Sequence, residues 1–233
     1  MPADALEASL HDALNAGQRA AACFGDAVPG GVAAGPLLVI AGAGTGKTMT
    51  LAHRVAHLVA AGVAPERILL MTFSRRAARE MTDRARRIVA QARRTAGADI
   101  RLPWSGTFHS VASRILREFA SNLALEPGFS VLDRGDAADL MDVCRQEQNV
   151  VRLDRRFPRK DTCLSIYSRC VNARAGLEDC LADVYPWCAD WEAELRALFR
   201  AYAEAKRSAA ALDYDDLLLY WHEMMQTDVL AAA

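Results

Sequence analysis

The sequence predicts an α/β fold, a parallel sheet flanked by helices, followed by an all-helical unit. Apolar runs of strand length alternate with helical spacing between Pro36 and Phe119, and strands joined through helices run parallel with right-handed crossovers. From residue 134 to 224 the spacing is almost wholly helical, broken at Pro158, Gly176 and Pro186. The two regimes meet after Ser130-Val131-Leu132. A hydrophobic share of 52% over 233 residues is enough for one large core or two small ones.

In chain order, Leu6, Leu10 and Leu14 stand at helical spacing, and Asn15 can cap a second short helix holding Gln18, Arg19 and Ala22. Residues 25–36, rich in Gly and Pro, read as a loop. Pro36 to Ile40 is an apolar run and the first expected strand. Thr48 to Ala61 sets Leu51, Val55, Leu58 and Val59 on one face, and Gly62 stands where a left-handed cap ends a helix. His53 and His57 share a face at i, i+4. Zinc would want further ligands and none is evident, so both read as exposed helix residues. Ile68 to Phe73 is the second expected strand, and Arg75 opens a helix with Ala77, Met81 and Ile88 inward. Residues 104–108 are the third, before a helix through Val111, Ile115 and Phe119.

Charge and cysteines narrow the classes. With 28 basic against 29 acidic residues, bulk charge points to neither nucleic acid nor a membrane surface, so any basic face must be local. Lys47, Lys160 and Lys206 are the only lysines. The remaining basic residues are arginines, which genome composition alone could explain. Cys23, Cys144, Cys163, Cys170, Cys180 and Cys188 lack the C-x₂-C spacing of zinc or iron–sulfur ligation and read as reduced thiols. No charged-then-apolar leader opens the chain, and no apolar run nears the ~20 residues of a membrane helix. A soluble, cytoplasmic protein is expected.

The strongest motif is Ala41-Gly42-Ala43-Gly44-Thr45-Gly46-Lys47-Thr48, between an apolar run and a helix. A phosphate chain needs converging backbone N–H groups, a helix N-terminus, a cation, and a hydroxyl for the accompanying Mg²⁺. Gly42 to Gly46 can supply the amides, Lys47 the charge for the β- and γ-phosphates, and Thr48 the Mg²⁺ oxygen. The loose pattern arises by chance in roughly 2% of chains this long, and the flanking strand and helix lower that further. A hydrolytic enzyme of this kind also needs a carboxylate at the end of another apolar strand. Asp133 is the nearest imitation and reads as a turn residue, while Asp213 reads as a helix cap with Asp215 and Asp216 in the first turn.

Two further clusters suggest nucleic acid. Arg75, Arg76, Arg79, Arg84, Arg86, Arg87, Arg93 and Arg94 oppose only Glu80 and Asp83, just beyond the strand end at Phe73. A solvated helix face explains the arginines about as well. An aromatic platform beside small donors is, however, what single strands use. Thr107-Phe108-His109-Ser110 repeats the combination at the next strand end, where open α/β sheets bind ligands.

Together, Leu14-Asn15-Ala16-Gly17-Gln18, AGAGTGKT at 41–48, TFSRRAAREM at 72–81 and GTFHSVASRILR at 106–117 resemble four motifs of UvrD/Rep-type superfamily 1 helicases. These are the adenine-reading motif, Walker A and the first two DNA-contacting motifs. Asp213-Tyr214-Asp215-Asp216-Leu217-Leu218 resembles the block that closes that family's inserted helical domain. The resemblance implies a P-loop RecA-like domain over 1–120, an inserted all-helical subdomain over 121–210 and a return segment over 211–233. It implies that Gln18 bonds adenine, that Ala41 to Thr48 bind ATP with Lys47 and Thr48 catalytic and Thr48 on Mg²⁺, and that Phe73, Arg75, Arg76, Thr107 and His109 touch DNA. Arg75 stands for a frequent Asn and Arg76 for a Lys.

In that family an Asp-Glu strand and arginine fingers follow later, so the chain reads as a truncated helicase with an incomplete sheet. The implied activity is ATP-dependent 3'-to-5' translocation on single-stranded DNA and unwinding at single-strand/duplex junctions, in repair or recombination. Residues 1–233 alone are expected to bind nucleotide weakly and not to unwind. A non-catalytic ATP- or single-strand-binding module stays open, while the blocks around Phe73 and His109 argue against a nucleotide or small-molecule kinase.

Overall fold

A computed structural model describes residues 12–93, 101–148 and 156–226. The chain divides into two compact units, Met1–Val111 and Ala112–Ala233.

In the first unit, helix α1 (Ala16–Ala22) is opened by Asn15 in a reciprocal capping box with Gln18, as the sequence suggests. The expected helix through Leu6 and Leu10 lies outside the described residues. Strands β1 (Asp26–Val28) and β2 (Gly31–Ala33) follow, then α2 (Lys47–Ala60), β3 (Leu70–Thr72), α3 (Arg75–Arg93), β4 (Ser105–Thr107) and the start of α4 (Phe108–Glu118). β3 and β4 pair in parallel, Leu70 with Ser105, Met71 with Gly106, Thr72 with Thr107. A parallel pair needs a crossover, and α3 lies between the strands in sequence. The core joins Val55 and Val59 of α2, Leu70 of β3, Met81, Ile88 and Val89 of α3, and Leu102.

Three readings from sequence are corrected here. Pro36 to Ile40 forms no strand, and Leu38 and Ile40 are 83% and 90% exposed. A strand exists only where another backbone pairs with it, and among the described residues the parallel sheet of this unit is β3 with β4 alone. Residues 25–36 are more than a loop. β1 and β2 form an antiparallel hairpin there, closed by Pro29-Gly30 with Gly30 at φ 77°, the residues a type II turn takes. His53 is buried and His57 half-buried, because α2 packs against both α1 and α3, so a second stripe of it is covered; Leu51 is exposed.

In the second unit, β5 (Ser130–Val131) pairs in parallel with β6 (Ala211–Leu212). Between them come α5 (Arg134–Glu147), α6 (Lys160–Ala173), α7 (Leu177–Val184), a 3₁₀ turn (Pro186–Trp191) and α8 (Glu192–Ser208); α9 (Tyr214–Met225) follows β6. Pro158, Gly176 and Pro186 do separate helices. Met141, Ile166, Leu181, Leu195, Leu198 and Tyr202 build the helical core, and Leu116, Phe129, Leu212 and Leu217 a second cluster. All six cysteines are free, and burial pushes the Cys163 thiol up to about 12. No helix among the described residues is long and apolar enough to cross a membrane.

Asp213 caps α9 in a capping box with Asp216. What the sequence did not reveal is a buried lysine beneath it. Lys206, 3% exposed, donates to Asp213 at 2.7 Å and to Asp216 at 2.5 Å, and lies over the rings of Tyr167 and Tyr202. Tyr202 also donates to Asp213, at 2.9 Å. Burial works to lower the Lys206 pKa, but the two carboxylates outweigh it and hold it above the ordinary 10.5. The charge is locked on and ties α6, α8 and α9 together.

Removing this cation strands two buried carboxylates. Lys206→Met should therefore cost about 3–5 kcal/mol, read as a lower urea midpoint by circular dichroism. Arg207→Met, which removes an exposed ion pair with Glu204, should leave the midpoint unchanged.

Candidate functional site

The phosphate-loop candidate opens α2. Gly44 and Gly46 adopt left-handed backbone, φ 74° and 85°, and Gly46 is the helix N-cap with no side chain bonded across it. The first turn of α2 also holds no acidic residue. Its N–H groups and the positive end of its dipole are thus left for an external anion. That arrangement, with exposed Lys47 and Thr48 in the first turn, fits a nucleotide's phosphates and a Mg²⁺ bound with them. Within the loop, Thr45 Oγ1 donates to the Gly42 carbonyl at 2.8 Å, and Lys47 Nζ donates to the carbonyls of Ala41 and Gly42 at 3.0 and 2.5 Å. The ammonium is folded onto its own loop, so phosphate oxygens would take over from those carbonyls.

Gln18 is brought to this loop. Its Oε1 accepts from the Asn15 N–H at 3.0 Å and its Nε2 donates to the Thr45 carbonyl at 2.9 Å. Both ends of the amide are engaged, and contact with a base would exchange one of these bonds. Sequence reading missed the residue that holds α1 in place: Arg54 of α2 donates to the carbonyls of Ala22, the last residue of α1, and Phe24, just beyond it, at 3.1 and 2.5 Å. Its burial lowers its pKa. An arginine among the buried positions Ala52, Val55 and Ala56 of α2 was the available signal. Beside the loop, Ala21, Phe24, Leu37, Val39 and Leu51 wall a cavity of about 440 Å³ that Lys47 also borders.

The second group stands at the C-terminal ends of β3 and β4. Because Thr72 pairs with Thr107, the next residues, Phe73 and Phe108, emerge side by side with ring centroids 5.2 Å apart. Phe73 is 92% exposed. Phe108 is the partner that only the strand register identifies. Thr107 is engaged in capping: its Oγ1 accepts from the Ser110 N–H at 3.3 Å and donates to Ser110 Oγ at 3.1 Å, while Ser110 Oγ donates to the Thr107 carbonyl at 2.9 Å. Arg75 and Arg76 are exposed in the first turn of α3, where a helix dipole disfavours cations. His109 is half-buried at the start of α4. Gln18 with the loop, and Phe73 with Phe108, Thr107 and the arginines, are thus two separate groups within one unit.

Residues 25–233 match the family profile described as UvrD/REP helicase N-terminal domain. Asn15 to Gln18 precede the matched span. The chain is similar to an ATP-dependent DNA helicase PcrA of Leuconostoc citreum, 37% identical over 84% of this chain and 25% of that protein. An ATP-dependent DNA helicase UvrD1 of Mycobacterium leprae is 35% identical over 78% and 23% respectively. A PcrA of Staphylococcus aureus is 32% identical over 79% and 24%. The chain spans about a quarter of the length of these relatives.

The two left-handed glycines separate backbone strain from contact. A Cβ on Gly44 would meet open space, whereas one on Gly46 would lie 2.7 Å from Gln18 Nε2. Alanine at either should cost about 1–2 kcal/mol from its positive φ. Gly46→Ala should cost more, and that excess should vanish in a Gln18→Ala background, read from a double-mutant cycle of denaturation midpoints.

Proposed function

This chain belongs to the UvrD/REP helicase family, and on that footing we propose that residues 1–233 are the ATP-binding part of an ATP-dependent DNA helicase. The whole protein would move 3'-to-5' along single-stranded DNA and unwind duplex at junctions, in repair or recombination. The observation that carries the proposal is the Gln18 amide bonded to Thr45, which sets a base-reading side chain beside a loop suited to phosphates. Gln18 would meet adenine, Ala41 to Gly46 would wrap the phosphates, Lys47 would neutralise them, and Thr48 would hold Mg²⁺. Phe73, Arg75, Arg76, Thr107 and His109 would face the strand, with a base on the Phe73 ring. Since the Thr107 hydroxyl already serves the turn into α4, its part is to shape the surface.

Binding and cleavage separate within this chain. Cleavage needs a carboxylate that positions water and the metal's shell. The acids that follow β5 and β6, Asp133 and Asp213, are both engaged as helix N-caps, and Asp213 is also paired with Lys206. Neither is available for that task. The domain boundaries at 120 and 210 and the RecA-like class of the first domain belong to the same proposal.

Titrating a fluorescent ATP analogue into the purified chain should give Mg²⁺-dependent binding that Lys47→Ala weakens about tenfold or more. DNA-stimulated turnover should stay far below the 1–10³ s⁻¹ of typical enzymes, by roughly two orders of magnitude or more. Equal affinity in Lys47→Ala would remove the nucleotide assignment. Turnover near typical rates would remove the separation of binding from cleavage.

A further inference from the structure

Helix α6 ends and α7 begins within three residues, Arg174 to Gly176. Arg174 takes left-handed backbone, φ 51°, and the Ala175 N–H donates back to the Cys170 carbonyl at 3.1 Å, so the chain reverses at once. On the far side the Cys180 N–H donates to the Gly176 carbonyl at 3.0 Å and closes the first turn of α7. The last turn of one helix is thereby laid against the first turn of the next, and each brings a cysteine. The Cys170 and Cys180 thiols meet in a hydrogen bond, although nine residues separate them in sequence. A disulfide needs its sulfurs about 2 Å apart, which two thiols already in hydrogen-bond contact reach by a rotamer change and a small helix shift.

Access distinguishes this pair from the other cysteines. Cys180 belongs to the helical core and is 4% exposed, while Cys170 packs at its edge and is half-buried. One sulfur is thus within reach of a small oxidant, and the other is shielded behind it. Cys163 and Cys188 also lie close enough for the charge of one to affect the other, but both are buried, at 0% and 2% exposed. Exposure therefore selects Cys170 with Cys180. The end of α6 that carries Cys170 is in turn fastened to α9, where Asn172 donates to Asp215 and Arg174 to His222 Nε2, each at 2.7 Å.

We propose that Cys170 and Cys180 form a redox modification site, a dithiol that a peroxide converts into an intrachain disulfide pinning the end of α6 to the start of α7. The Cys170 sulfur attacks one peroxide oxygen, the O–O bond breaks and water leaves, so that Cys170 becomes a sulfenic acid. The Cys180 sulfur then attacks that sulfur, the S–O bond breaks, a second water leaves and the S–S bond forms. Both thiol protons depart with the two waters, and the two electrons lost by the sulfurs reduce the peroxide. Burial and the hydrogen bond to Cys180 hold the Cys170 thiol up to about 12, which keeps its thiolate scarce near neutral pH and the first step slow. The site therefore answers to sustained oxidant rather than to a brief pulse. Once formed, the bridge stiffens a joint that serves α6, α7 and α9 together, and it is independent of the nucleotide and DNA readings.

The test treats the full 233-residue chain with excess hydrogen peroxide, traps the remaining thiols by alkylation and maps the peptides by mass spectrometry. Free thiols should fall from six to four, and one peptide pair joining Cys170 to Cys180 should appear about 2 Da below the sum of its reduced parts, two hydrogens lost. The oxidised chain should melt about 5 °C higher than the reduced one, and dithiothreitol should reverse both changes. Cys170→Ser should keep its five thiols, whereas Cys23→Ser, altered in the other unit, should still form the bridge. Mapping of the wild-type chain locates the bridge even if Cys170→Ser does not fold. Retention of all six thiols after the exposed Met225 has become sulfoxide overturns the site. A bridge that persists in Cys170→Ser, or one that joins two chains, overturns the pairing. Sulfinic acid at Cys170 with no bridge overturns it as well, because Cys180 then fails to capture the sulfenic acid.

Discussion

The first unit depends on one pairing, the parallel register of Leu70–Thr72 against Ser105–Thr107. Parallel strands end at the same edge, and each of these is followed at once by a helix, α3 from Arg75 and α4 from Phe108. Two helix N-termini, two aromatic rings and a row of arginines are thereby gathered on one edge. Sliding the register by one residue would turn the side chains of one strand to the other face. Phe73 would then lose Phe108. The surface is a by-product of how the strands pair over the core formed by Leu70, Met81 and Val89.

The nucleotide candidate depends on a different constraint, the attachment of α1 to α2. Arg54 fastens the far end of α1 through two carbonyls, and Gln18 fastens its near end to Thr45. Between those anchors α1 has little freedom to move without the loop. Lys47, bonded to the Ala41 and Gly42 carbonyls, and Gln18, bonded to Thr45, thus act on the same short segment.

What could be read from sequence was local. Asn15 and Asp213 announced their capping boxes because a cap is a matter of four consecutive residues. The loop at 41–48, the helices on either side and the breaks at Pro158, Gly176 and Pro186 were legible for the same reason. What escaped was non-local. The run Leu37 to Ile40 has strand composition, but a strand also needs a neighbour, and composition says nothing of that. His53 looked like a surface residue because one periodic face was counted, while α2 packs on two sides. Lys206 occupies a helix position like any other basic residue. Only the fold carries Asp213 and Asp216 back over it, and nothing near position 206 foretells Tyr167, which lies 39 residues earlier.

The two units repeat one local plan, a short strand running into a helix N-terminus, and resolve it with opposite charge. In the first, the caps are neutral: Ser74 Oγ accepts from the Ala77 N–H at 3.1 Å, and Thr107 Oγ1 from that of Ser110. In the second, they are carboxylates: Asp133 accepts from Gly135 and Asp136, and Asp213 from Asp216. A neutral cap satisfies an N–H but leaves the helix dipole unspent, whereas a carboxylate does both. In the first unit the dipoles of α3 and α4 therefore still favour an anion from outside, and Arg75 and Arg76 stand exposed at the same edge. In the second unit the demand is satisfied internally, and at Asp213 so fully that a buried lysine is needed to balance it. The cap in each strand-to-helix turn thus decides which of two similar edges keeps its helix dipoles unspent and which is closed internally.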